Sequence, residues 1–92
     1  MAGRQRVSMF TAYILYNKEI NKYYIGSTNN LVRRLIEHNR HQTKSTNRRG
    51  KWEIIYSEDF DTNIKSRQRE LKIKSYKGGN SFKKLIAGVV YR

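Results

Sequence analysis

The 92-residue chain has no cysteine, so it can build neither a disulfide nor a thiolate-ligated metal site. That excludes the stapled architecture of small secreted domains and fits a reducing cytoplasm. Long hydrophobic runs are missing as well. The longest apolar stretch is a few residues, and no membrane helix is expected from it. Residues 1–9 carry two arginines without the apolar segment a signal peptide requires. They read as a flexible arm ahead of a single domain at 10–92. Internal repeats and low-complexity tracts are absent too. A chain this short buries roughly 60–65% of its unfolded surface, which supports one small domain.

Acidic residues are scarce: 7 Asp and Glu stand against 20 Lys and Arg, for a net charge of +13. Such a surplus repels itself, and a polyanionic partner is its natural counterpart. A basic membrane-surface helix would need a long apolar face beside a clean basic one. No segment has both, and the cations are spread along the whole chain. Seven tyrosines, three phenylalanines and a tryptophan exclude a simple basic tail. Charge and foldedness together point to nucleic acid.

The apolar pattern predicts a strand over 10–16, with Phe10, Ala12, Ile14 and Tyr16 on one face and Thr11, Tyr13 and Leu15 on the other. A polar loop at 17–21 leads to a second, antiparallel strand over 22–26. Both strands are largely apolar on both faces, so helices should cover the sheet on at least one side. Residues 27–30 read as a turn, in which Thr28, Asn29 or Asn30 caps a helix over 31–39. Leu31, Val32, Leu35 and Ile36 form its expected core stripe, and Asn30, Arg34 and His38 share another face. Residues 40–51 contain no apolar side chain and predict a long exposed loop. A third strand spans 52–60, with Trp52, Ile54 and Tyr56 alternating against Glu53, Ile55 and Ser57. A helix follows over 63–76, with Ile64, Leu71 and Tyr76 pointing inward and Ile73 to one side. Gly78 and Gly79 end it. Asn80 or Ser81 caps a last helix over 82–87, whose apolar face is Phe82, Leu85 and Ile86. Residues 89–91 form a tail or a short strand. The fold class is α+β: a small three-stranded antiparallel sheet flanked by helices, in the order β-β-α-β-α-α.

Three groups of residues have the chemistry for a site, and each has a plainer alternative. Glu70 lies among Arg67, Arg69, Lys72 and Lys74. It is either a partner in helical ion pairs or a ligand for Mg²⁺ or Mn²⁺, ions that take one or two carboxylates and fill their shell with water and phosphate. Arg34 and His38, four apart, share a helix face. They form either an ordinary exposed face or a pair that clamps a phosphate and handles a proton. Tyr13 and Tyr24 lie on adjacent strands and on spacing alone read as core. The acids Glu58, Asp59 and Asp61 read as a capping cluster for the next helix rather than a metal site. The loop cations Lys44, Arg48, Arg49 and Lys51 belong either to a solvated loop or to a basic finger gripping phosphates. Arg33, Lys74 and Lys77 are further candidates for phosphate contact.

Taken together, these residues resemble the GIY-YIG endonuclease domain, in its small stand-alone bacterial form. Thr11-Ala12-Tyr13 stands at the GIY position, keeping only the tyrosine, and Tyr24-Ile25-Gly26 is an intact YIG. Asn30-Leu31-Val32-Arg33-Arg34 matches the step that carries the family's arginine, at Arg34. His38 follows at the family spacing, and Arg69-Glu70, with Ile73 and Lys74, matches the glutamate helix. Asn80 is the nearest counterpart of the family's late asparagine. The likeness covers residues 10–86. It implies metal-dependent hydrolysis of DNA phosphodiesters, of the kind used in repair or recombination. Glu70 would hold Mg²⁺ or Mn²⁺, and Tyr13 would act as general base or align the water. Tyr24 would support attack or substrate contact, Arg34 would stabilise the transition state, and His38 would assist proton transfer or bind phosphate. DNA is the implied partner, with RNA left open and a monomer as the default. Two rivals remain: a non-catalytic nucleic-acid-binding module of the same fold, and an RNA-binding accessory protein.

Overall fold

Strand β1 (Phe10–Asn17) is the centre of the molecule because nearly every residue in it is buried. It pairs antiparallel with β2 (Lys22–Thr28) on one side and β3 (Glu53–Phe60) on the other, giving a sheet of order β2-β1-β3. Helix α1 (Leu31–Asn39) follows β2, and helices α2 (Asn63–Ser75) and α3 (Asn80–Val90) follow β3. The computed structural model describes residues 9–40 and 50–90. Its element order is the expected β-β-α-β-α-α, an α+β fold. Among these residues no helix is long and apolar enough to cross a membrane.

The alternation along β1 separates two half-cores, one on each face of the sheet. Ile14 packs with Tyr56, Ile73 and Phe82 beneath α2 and α3. Tyr13 and Leu15 pack with Trp52, Tyr24, Leu31 and Leu35 beneath α1. The sheet is therefore covered on both faces, which is why both faces of β1 are apolar.

Several local expectations are corrected. Strand β2 runs on through Ser27 and Thr28, which pair with Ala12 and Thr11; the sequence reads them as turn. The register between β1 and β3 shifts at Ile14/Leu15, where Ile14 faces Tyr56 and Leu15 faces Ile54. Ile55 is the extra residue of a β-bulge. A bulge reverses the alternation, so Trp52 and Tyr56 enter opposite half-cores instead of sharing a face.

Helix phases differ as well. Val32 is 69% and Ile36 44% exposed, whereas His38 is fully buried. The inward side of α1 is Leu31, Leu35 and His38, rotated from the expected stripe. In α2 the buried residues are Ser66 and Ile73, while Ile64 and Leu71 are exposed. Helix α3 starts at Asn80 and reaches Val90, and its Phe82, Leu85 and Ile86 do pack into the core. Thus residues 89 and 90 continue a helix.

The turns have clear local causes. The Asn30 side chain caps α1 by accepting from the Arg33 amide at 3.1 Å, and Thr62 caps α2 through the Lys65 amide at 3.2 Å. Lys77 and Gly78 take φ of 51° and 76° to end α2, a backbone glycine adopts without steric cost. The return to β3 is pinned by Asn39, which accepts from the Trp52 amide at 2.7 Å and donates to its carbonyl at 3.2 Å. The acids at the end of β3 are dispersed among partners. Asp59 accepts from the Thr11 hydroxyl at 2.7 Å, Glu58 pairs with Arg69 at 3.1 Å and Asp61 with Lys65 at 3.2 Å. None of them lies in the first turn of α2.

Candidate active site

Tyr13 lies opposite Gly26 in the β1–β2 register, and that pairing builds the site. A Cβ on Gly26 would stand 2.7 Å from the Tyr13 hydroxyl and 2.9 Å from the adjoining ring carbon. Only glycine lets the phenol lie across β2, and the ring is fixed there because Tyr13 is 1% exposed. From this position the hydroxyl is 3.4 Å from His38 Nε2. Tyr24 stacks on Tyr13 with centroids 6.2 Å apart and lies 4.5 Å from the His38 ring. Three rings thus meet over the β2 edge, brought together by one strand pairing and the inward turn of α1.

The electrostatics follow from burial. Burial pushes the Tyr13 phenol up, while a hydrogen bond with Arg34 works against that shift. His38 is lowered to about 4, first by burial and then by the charge of Arg34. At neutral pH it is an uncharged imidazole, able to accept a proton. Arg34 itself is held by Glu37, with Nη1 2.8 Å from Oε1.

Glu70 comes from the other face of the sheet. Ser27 Oγ donates to its Oε1 at 2.7 Å, and Lys74 Nζ donates to its Oε2 at 2.7 Å. Burial works against its ionisation, but hydrogen bonds from Lys74 and Ser27 and the charges of Lys74 and Arg67 hold the carboxyl below the usual range. The charge of Glu70 is the smallest of the influences that raise Tyr13.

The structure therefore draws Tyr13, Tyr24, Arg34 and His38 together and sets Glu70 across the β2 edge from them. Among the described residues no hydrogen bond or ring contact ties Asn80 to this group. It is exposed at the start of α3. Arg33 is exposed and lies 3.8 Å from Glu37, Lys51 and Lys77 are exposed, and Lys74 is engaged by Glu70. Lys44, Arg48 and Arg49 lie outside the described residues. Two participants escape the sequence reading. Ser27 was hidden by its turn-like neighbours, although the continuing β1 register could have placed it. Glu37 carried a usable signal, an acid three residues after Arg34.

The donor set at Glu70 suits a hard divalent cation: an ionised carboxylate with a hydroxyl beside it. Among the described residues, no group of three or more His, Asp or Glu could enclose an ion. Such an ion would depend on water and an incoming phosphate for the rest of its shell.

A protein-family model described as the GIY-YIG catalytic domain matches residues 9–83. That span includes Tyr13, Tyr24, Arg34 and His38 as well as Glu70. No curated protein and no solved structure gives a significant match.

Proposed function

The chain belongs to the GIY-YIG family, and from that premise we propose that it is a divalent-metal-dependent endonuclease hydrolysing phosphodiester bonds in DNA. The observation that carries the reading is the contact of the Tyr13 hydroxyl with a buried, neutral His38 at 3.4 Å, with Arg34 beside both.

Hydrolysis needs an aligned water, an acceptor for its proton and positive charge on the phosphoryl oxygens. Arg34 provides the fixed charge, held in position by Glu37. Tyr13 aligns the water. A free phenol, with a pKa of about 10, is a poor base at neutral pH, and burial makes Tyr13 poorer still. His38 gives the phenol proton a neutral acceptor, a weak one while burial and Arg34 hold its pKa at about 4. With its own proton on Nδ1, Nε2 accepts the phenol proton as the phenol takes one from water, so no free phenolate accumulates. A phosphate bound at Arg34 offsets one of the two influences that depress His38, which makes the imidazole a better acceptor when substrate is present. This favours proton transfer over phosphate binding as the role of His38. Tyr24 packs on the imidazole and holds its plane.

Glu70 is the residue that would hold Mg²⁺ or Mn²⁺. When bound there, the ion would supply Lewis-acid polarisation of the scissile phosphate. Ser27 orients the carboxylate through its hydrogen bond. Arg33, Lys51 and Lys77 are exposed and available to neighbouring phosphates.

The decisive experiment is nicking of supercoiled plasmid with and without Mg²⁺ or Mn²⁺. Metal-dependent nicking is expected, with Glu70→Ala and Arg34→Ala each reducing it at least 100-fold, in line with the loss of a key charge-stabilising group, while leaving the fold intact. Binding without nicking by the wild type would instead favour the non-catalytic module.

A further inference from the structure

Both oxygens of the Glu70 carboxylate are already occupied by donors of this chain, and the two donors differ in kind. Ser27 reaches Oε1 from β2, inside the sheet-to-helix contact. Lys74 reaches Oε2 from one turn further along α2, with its side chain 49% exposed against 15% for Glu70. Ser27 is neutral and fixed by strand pairing with Ala12. Lys74 is a charged group on a flexible stem, and water can take its place. We propose that Lys74 is a tethered place-holder for the divalent cation at Glu70, displaced when the cation binds and passed to the substrate phosphate that the cation brings in. The inference rests on the assignment of Glu70 as the metal ligand.

Three physical points support it. A partly buried carboxylate left bare would be costly, and an ammonium ion is the one side-chain cation compact enough to mimic a metal's charge without enclosing the carboxylate. An ammonium ion and a divalent cation at Oε2 repel each other and compete for that oxygen's lone pairs, so metal occupancy weakens the Lys74 contact. Finally, Lys74 is anchored to the same helix one turn from Glu70, and its stem keeps the ammonium ion within several ångströms. Among the described residues no group of three or more His, Cys, Asp or Glu could enclose an ion, so the shell is left open to water and to a substrate phosphate, a new anion within that reach. Metal binding and phosphate recognition are then coupled: the ion that opens the carboxylate also frees a cation for the substrate.

Mn²⁺ titration of the DNA-free protein, followed by the loss of the free-ion electron paramagnetic resonance signal, tests the first half. Lys74→Met should bind Mn²⁺ about tenfold more tightly than wild type, as expected for removing a competing charge-assisted hydrogen bond. Glu70→Gln should bind it far more weakly in either background. Equal or weaker Mn²⁺ binding by Lys74→Met, with Glu70→Gln still defective, overturns the place-holder role alone. Wild-type affinity in Glu70→Gln overturns the metal assignment and the inference with it. The second half is read from the salt dependence of binding to a short DNA duplex in Ca²⁺. Lys74→Met should lower the log–log slope by about 0.9, one phosphate contact. An unchanged slope shows that the released ammonium ion does not reach the phosphate.

Discussion

His38 is the residue whose environment departs furthest from its sequence context. On the helix pattern it shares a face with Arg34, open to solvent; in the fold it is fully buried against two tyrosine rings. Its lowered pKa has a consequence for stability. The unfolded chain protonates this imidazole near pH 6.5, whereas the folded chain resists until about 4. Between those values the unfolded state binds more protons, so stability is full above pH 6.5 and falls as pH drops. The linkage corresponds to a loss of about 2 kcal/mol between pH 7 and pH 5. Urea denaturation of wild type and His38→Gln at the two pH values measures it. The wild type should lose this increment and the variant should lose much less. An equal loss in both would assign the acid sensitivity to other groups.

At the scale of elements, the sequence specified more about which segments form than about how they are turned. Six elements in the right order follow from periodicity, caps and loops. The errors are errors of phase. In α1, four apolar residues at 31, 32, 35 and 36 leave a choice of which edge of the stripe meets the sheet. Packing selects the Leu31–Leu35 edge because that edge also buries His38 against Tyr24. In β3, a single bulge at Ile55 reverses the faces, and nothing in a run of apolar and polar residues marks a bulge. In α2 the apolar residues are so sparse that Ile64, Leu71 and Ile73 compete, and only the fold selects Ile73. The candidate site was legible through Tyr13, Tyr24, Arg34, His38 and Glu70 because their types and spacings resemble a family pattern. Ser27 was not, because its role arises from β2 continuing past Gly26. The phase of α2 is directly testable. Ile73→Ala should cost about 2–5 kcal/mol, as for other buried isoleucines. Ile64→Ala and Leu71→Ala, on the exposed side, should each stay within about 0.5 kcal/mol. Thermal melts of the three variants decide it. A large loss at Leu71 with none at Ile73 would restore the orientation read from the sequence.

For the whole molecule, the net charge of +13 acts on folding and on binding with opposite signs. Like charges held together in the folded chain repel, and salt screens that repulsion over a Debye length of about 8–10 Å at ordinary ionic strength. Ion pairs such as Arg34–Glu37 and Lys74–Glu70 are screened as well, but most of the 20 basic residues have no acid to pair with, because only 7 acids exist. Repulsion is therefore the larger quantity, and added salt should raise the melting temperature. DNA binding should move the other way, because each phosphate contact releases a counterion that high salt makes harder to release. For a footprint of about six phosphates, affinity should fall on the order of 10³-fold between 50 and 200 mM salt. Measuring both quantities in one salt series separates two causes that a binding assay alone confuses. If affinity falls while the melting temperature rises, weaker binding cannot be loss of folded protein, and the basic surface is acting on the phosphate backbone. A melting temperature that falls together with affinity would instead mean that the ion pairs outweigh the repulsion, and that the charge surplus is less of a burden on this fold than its size implies.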